Sequence, residues 1–198
     1  KLVVSGKNKS ATEKTFLKIK SLIQNKTEDY VVAINKETLE ENIIKTLTKK
    51  SLTLSVAESC TGGMISQLLT SVPGASKVFL LGTTTYSNLS KETILGVNHE
   101  SLTNFGAVSA EVASEMVSGV THRSGSKIGI SVTGIAGPTG GTPDKPVGCV
   151  YIGWHLIKND QPCIEVNRFD FKGNRLQVQK SSTYTALIRL QKYLEKVS

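Results

Sequence analysis

The run Leu52-Thr53-Leu54-Ser55-Val56-Ala57-Glu58-Ser59-Cys60-Thr61-Gly62-Gly63-Met64-Ile65-Ser66-Gln67-Leu68-Leu69 changes character twice. Residues 52–57 are apolar and rich in β-formers, as in a buried strand. A polar, glycine-containing cluster at 58–63 stops that strand. Met64, Ile65, Leu68 and Leu69 then recur at helical spacing. A buried strand that hands over directly to a helix is the building unit of α/β proteins.

Downstream the alternation continues. Residues 78–86 read as a second strand, rich in Thr near its end, and 128–133 as a third. Between them Ser109 caps an amphipathic helix carrying Val112, Ala113, Met116 and Val117. A glycine-rich loop at 134–148 leads to a strand at 147–156, a partner strand at about 163–171 and a final helix at about 175–196. Early alternation followed by a hairpin predicts an α/β fold, a three-layer α/β/α sandwich whose sheet is mixed rather than wholly parallel.

Upstream, residues 2–4 read as the end of a strand. Ala11, Phe16, Leu17, Ile19, Leu22 and Ile23 predict a helix over 10–24 with Ser10 or Thr12 as cap, and 30–34 a short strand. Such a piece is too small to bury its own apolar face. Asn35 is the expected cap of a helix over 36–49, with Leu39, Ile43, Ile44 and Leu47 on one face and Lys49-Lys50 at its end. The domain boundary is thus placed between 1–34 and 35–198.

Charge is also uneven along the chain. Of the 24 basic and 16 acidic side chains that give the 198-residue chain a net +8, residues 1–50 hold 11 and 6. Residues 51–198 are therefore less basic than the total suggests. A hydrophobic fraction of 38% and a mean hydropathy of −0.09 argue against a membrane protein, and no apolar run approaches the roughly 18–20 residues of a spanning helix. Cys60, Cys149 and Cys163 fit reduced thiols in a cytoplasmic protein better than a disulfide framework. Together with the isolated His99, His122 and His155 they form no metal-ligand pattern, and no cofactor is expected. The chain begins at Lys1 without a signal peptide, as a fragment of a longer polypeptide would.

Three segments carry chemistry. At 57–63 a hydroxyl, Ser59, sits where a helix N-terminus leaves backbone amides unpaired, and Gly62-Gly63 permit close approach of a ligand. Ser59 and Thr61 could equally be plain caps. A nucleophilic serine needs a base, and each histidine reads better as structural: His99 at a helix start, His122 at a helix end, His155 in a strand. The alternative base is a lysine with a lowered pKa. Tyr86-Ser87-Asn88-Leu89-Ser90-Lys91 ends the second strand and starts a helix, so Tyr86 and Lys91 can return to the sheet edge that carries Ser59. The third segment, 133–148, has five glycines, three prolines and Lys145, a composition suited to holding a phosphate or carboxylate; it is neither a Walker A loop nor a dinucleotide fingerprint.

In order and spacing, residues 57–63, 86–91, Gly106-Ala107-Val108-Ser109, 134–148 and Phe171-Lys172-Gly173-Asn174-Arg175 resemble the C-terminal domain of the CinA family of competence/damage-inducible proteins. The resemblance covers about residues 37–198. It implies an amidohydrolase that cleaves the carboxamide of nicotinamide mononucleotide to nicotinic acid mononucleotide and ammonia. Carried onto this chain, it implies Ser59 as nucleophile, Lys91 as general base and Tyr86 as proton relay or positioning group. Amides near Thr61, Gly62 and Gly63 are expected to hold the oxyanion. Glu58 is expected to orient Lys91 or the substrate, or simply to end the strand. Thr133, Gly134, Gly137, Gly140, Gly141, Lys145 and Arg175 are expected around the nucleotide, and Cys60 is read as a small apolar neighbour. Residues 1–34 resemble the tail of the KH-like middle region, which in the family follows a molybdopterin-binding-like N-terminal domain. A homo-oligomer, dimer or higher, is also implied.

A nucleic-acid or partner-binding module linked to competence and DNA damage is the competing reading. It is disfavoured because residues 1–34 lack a Gly-X-X-Gly clamp and the chain is only 6% aromatic. A domain that has lost activity and serves structurally is a third, against which the intact motifs argue.

Overall fold

The computed structural model describes residues 3–27, 37–158 and 161–196; the expected strand at 30–34 and the expected cap Asn35 lie outside these. The chain divides into two units, Lys1–Glu37 and Thr38–Ser198. In the first, Val3 and Val4 are irregular and not strand. Helix α1 spans Lys9–Thr27. It starts ahead of the apolar pattern because the cap is Asn8, not Ser10 or Thr12: Asn8 Oδ1 accepts the Ala11 amide at 3.1 Å.

The second unit opens with α2 (Leu39–Lys49), later than expected because Thr38 closes a capping box. Thr38 Oγ1 accepts the Glu41 amide at 3.3 Å while Glu41 Oε2 accepts the Thr38 amide at 2.7 Å. Then come β1 (Leu54–Glu58), α3 (Met64–Thr70), β2 (Phe79–Thr84), α4 (Asn88–Leu95), α5 (His99–Phe105), α6 (Ala110–Ser124), β3 (Ile128–Gly134), β4 (Cys149–Lys158), β5 (Gln161–Asp170) and α7 (Arg175–Lys196). β2 ends at Thr84, so Tyr86 lies in the connection to α4. β4 starts later than residue 147 because a turn intervenes, with the Cys149 amide donating to the Pro146 carbonyl at 2.9 Å.

The sheet runs β2-β1-β3-β4-β5. β1 is parallel to β2 and β3, whereas β3–β4 and β4–β5 are antiparallel, so the sheet is mixed. Helices cover both faces. Ser131 Oγ on β3 donates to the Ala113 carbonyl of α6 at 2.6 Å. On the opposite face the fully buried Trp154 of β4 donates its indole N–H to the Ala186 carbonyl of α7 at 3.1 Å. Small residues bring α6 close: a side chain at Gly129 would meet Thr121 and Val117, and one at Gly153 would meet the Ala113 carbonyl. α2 and α3 pack with α7.

Topology places the site. From β1 the chain leaves through α3 to β2 on one side, and from β3 it leaves toward β4 on the other. The loops after β1 and β3 therefore part, opening a crevice beyond the carboxyl ends of two parallel strands, where open α/β sheets bind ligands. Among the described residues no helix is long and apolar enough to cross a membrane.

Candidate active site

A cavity of about 180 Å³ occupies this crevice. Ser59 and Cys60 line it from the turn after β1, Tyr86 and Lys91 from the β2–α4 segment, Ala107 and Val108 from the approach to α6, Thr133, Gly134 and Ala136 from the end of β3, and Arg175 from the start of α7.

Lys91 and Ser59 meet here. A Ser87–Ser90 capping box fixes where α4 begins, and helical side chains lean toward the N-terminus, which carries Lys91 back over the sheet edge. Lys91 is 1% exposed. Its Nζ donates to the Thr85 carbonyl at 2.7 Å and to Ser59 Oγ at 3.1 Å. Both partners are neutral. Burial therefore disfavours the ammonium and lowers the pKa from 10.5 to about 8. In the amine form the lone pair can accept the Ser59 proton across the same contact.

The amides after Ser59 are arranged differently from the sequence expectation. Gly62 N–H bonds back to the Ser59 carbonyl at 3.1 Å. Gly63 N–H donates to Glu58 Oε2 at 3.1 Å. Both are committed to the protein, whereas the Thr61 amide donates to no acceptor among the described residues. Glu58 orients neither Lys91 nor the cavity: its fully buried carboxylate accepts the Gly63, Ile65 and Ser66 amides and the Ser66 hydroxyl. Cys60 is buried and its thiol pKa is pushed up to about 12, chiefly by that burial, which leaves it protonated and unreactive at neutral pH.

Arg175 ties the cavity mouth together. Its Nη1 donates to the Gly137 carbonyl at 2.9 Å and its Nη2 to the Tyr86 hydroxyl at 2.7 Å. Tyr86 is 60% exposed and pairs with Arg175, not with Ser59 or Lys91. Thr133 Oγ1 donates to the Ala107 carbonyl at 2.7 Å, fixing one wall. Lys145 lies outside the lining: its Nζ donates to the Phe105 carbonyl at 2.6 Å. The exposed Gly140 and Gly141 are also outside it, as are Thr61, Gly62, Gly63 and Gly137, the last of which meets the site only through its carbonyl's bond to Arg175. No histidine lines the cavity; His155, for example, pairs with Thr121 Oγ1 at 2.9 Å inside the fold. Among the described residues no three His, Cys, Asp or Glu side chains converge as metal ligands.

Sequence reasoning missed four contributors. Thr85 holds Lys91 by its carbonyl, a role no side-chain pattern announces. Gln179 Nε2 donates to the Cys60 carbonyl at 2.8 Å, bracing the serine turn from α7; its spacing of four from Arg175 was the available signal. Ala107 and Val108 line the cavity from a segment that the motif pattern had marked without a role.

With this geometry in view, the model of the CinA C-terminal domain matches residues 36–194. The chain belongs to the CinA C-terminal domain family. A competence-damage inducible protein of Clostridium perfringens is 43% identical over 197 residues, covering all of this chain and 47% of that protein. A CinA-like protein of Kosmotoga olearia is 42% identical over 187 residues, covering 94% and 44%. The chain thus spans about half the length of the curated CinA relatives it matches. Solved structures agree in fold: competence damage-inducible protein A of Klebsiella pneumoniae superposes with a TM-score of 0.75 at 31% identity, covering 81% of this chain and 97% of that one. For a competence/damage inducible protein of Agrobacterium tumefaciens the TM-score is 0.74 at 36% identity, with 83% and 99% covered.

Proposed function

We propose that this CinA domain is an amidohydrolase and that its substrate is nicotinamide mononucleotide. The observation that carries the reading is the buried Lys91, its pKa lowered to about 8 and its Nζ 3.1 Å from Ser59 Oγ, in a cavity at the carboxyl ends of β1 and β3. A buried amine against a hydroxyl is the arrangement a serine nucleophile with a lysine base requires.

Ser59 Oγ attacks the carboxamide carbon and its proton passes to Lys91 Nζ. In this reading the oxyanion that forms takes as donor the Thr61 amide, which is unpaired among the described residues although Thr61 is not one of the lining residues. Lys91 returns the proton to the departing nitrogen, the C–N bond breaks and ammonia leaves an acyl-Ser59 ester. Water then attacks the ester with Lys91 again as base, giving the carboxylic acid and free Ser59.

Cavity size supports a ring-sized head group. At about 180 Å³ it is smaller than the roughly 300–1,000 Å³ of a site that buries a whole drug-sized ligand. The nicotinamide ring would sit inside while ribose and phosphate extend past Tyr86 toward Arg175, whose remaining guanidinium donors suit a phosphate. Residues 1–34 are in this reading the tail of a KH-like region, and the domain works as a homo-oligomer.

The test is ammonia release from nicotinamide mononucleotide, nicotinamide and nicotinamide adenine dinucleotide side by side. Turnover of the mononucleotide above both others is expected; equal turnover of free nicotinamide would remove the phosphate-recognition part of the reading.

A further inference from the structure

Helix α3 has an unusual cap. Its N-cap residue is Gly63, at φ 95°, with no side chain to satisfy the first amides. The acceptor comes instead from Glu58, upstream of the serine turn. Glu58 Oε2 accepts Gly63 N–H and Ile65 N–H, each at 3.1 Å, and Oε1 accepts Ser66 N–H at 2.8 Å and Ser66 Oγ–H at 2.7 Å. All four partners are donors, so both oxygens act purely as acceptors.

Chain connectivity gives this cap a consequence. The Glu58 main chain is fixed in β1, where its carbonyl accepts the Thr85 amide at 2.9 Å. Its side chain is fixed on α3. Residues 59–62 are the loop between those two anchors, and the carboxylate draws that loop closed. The loop carries both Ser59 and the Thr61 amide. A local cap at position 63 would satisfy the same helix without restraining them.

We propose that Glu58 is a positioning residue for the nucleophile: it sets where Ser59 Oγ and the Thr61 amide stand relative to each other, without touching substrate. The proposal rests on the reading of Ser59 as nucleophile, and its test separates the two. Reactivity of Ser59 is measured with a small fluorophosphonate, in which a Ser59 Oγ–P bond forms, fluoride leaves and the serine proton goes to Lys91. Ammonia release from nicotinamide mononucleotide is measured in parallel on the same chain.

Glu58→Gln places an amide N–H₂ against donors and loosens the loop. In the folded variant, kcat and the Ser59 labelling rate should each fall at least tenfold, while KM stays within about threefold because the cavity mouth is untouched. Ser66→Ala, which removes one of the four bonds at a less buried residue, should show the same pattern with a two- to fivefold loss; it carries the test should Glu58→Gln not fold. A folded Glu58→Gln, or failing that a Ser66→Ala, with unchanged labelling rate overturns the proposal, as does loss confined to melting temperature. If the unsubstituted chain is labelled at Ser59 but leaves nicotinamide mononucleotide intact, the substrate reading fails and the labelling comparison still decides on Glu58. No labelling of Ser59 in the unsubstituted chain overturns both.

Discussion

Lys91, on α4 just beyond the carboxyl end of β2, meets Ser59 just beyond the carboxyl end of the neighbouring β1, and the Thr85 carbonyl holds its Nζ at 2.7 Å while Ser59 Oγ lies at 3.1 Å. The lysine is thus aimed by a backbone atom, and its charge is unbalanced by either neighbour. Removing it should abolish the base without opening the fold. Lys91→Met is expected to lower ammonia release by at least about 10²-fold, the lower range for a general base, with a melting temperature equal to or above that of the unsubstituted chain. Steady-state rates and thermal unfolding of the same preparation check both halves.

The lowered pKa fixes a pH profile. Lys91 acts as a base only when neutral, so kcat/KM should rise through about pH 8 and level off above it. Stability moves the same way. The folded pKa lies below the unfolded 10.5, so between about 8 and 10.5 the unfolded chain binds more protons, and the cost of burying the ammonium, full below 8, fades as pH rises. Denaturant midpoints measured from pH 7 to 10 should show this rise in the unsubstituted chain and a shallower one in Lys91→Met.

Arg175 and Tyr86 should act on binding. Arg175→Ala removes the guanidinium that joins Gly137 to Tyr86 at the mouth. It is expected to raise KM for nicotinamide mononucleotide about tenfold or more and change kcat less, as loss of a contact made equally in ground and transition states does. Tyr86→Phe, losing only the hydroxyl that Arg175 binds, should have a smaller effect of the same kind. Initial-rate kinetics over a substrate series distinguish these outcomes from a proton relay, which would lower kcat.

The sheet has its own test in Trp154, fully buried between β4 and α7 with its indole N–H bonded to Ala186 and the Arg189 guanidinium 4.7 Å above the ring. Trp154→Ala should cost about 3–5 kcal/mol, read as a lowered urea midpoint, and should leave Lys91 and Ser59 in register in whatever fraction remains folded.

Much of this architecture was legible because apolar period and capping chemistry are local. The mixed α/β sheet follows from residues 52–69 and the later hairpin, and α7 occupies 175–196 as read. Helix starts were displaced where a better cap lay nearby: Thr38 with Glu41 outcompetes any start near residue 36, and Asn8 captures α1. The site was legible as segments, not as contacts. Nothing in Glu58-Ser59-Cys60-Thr61-Gly62-Gly63 tells that the carboxylate turns onto α3 and takes the Gly63 amide. Loop composition likewise suggested Lys145 for a phosphate, yet its position across from α5 delivers Nζ to the Phe105 carbonyl. Arg175, starting a helix that crosses the sheet, reaches the cavity instead.

The central claim is that Ser59 is the nucleophile of an amide hydrolysis, and the most direct measurement is ammonia release from nicotinamide mononucleotide by Ser59→Ala against the unsubstituted chain, each shown folded by its melting transition. The unsubstituted chain should release ammonia with production of nicotinic acid mononucleotide, and Ser59→Ala should release none above background. Undiminished release by a folded Ser59→Ala would contradict the account.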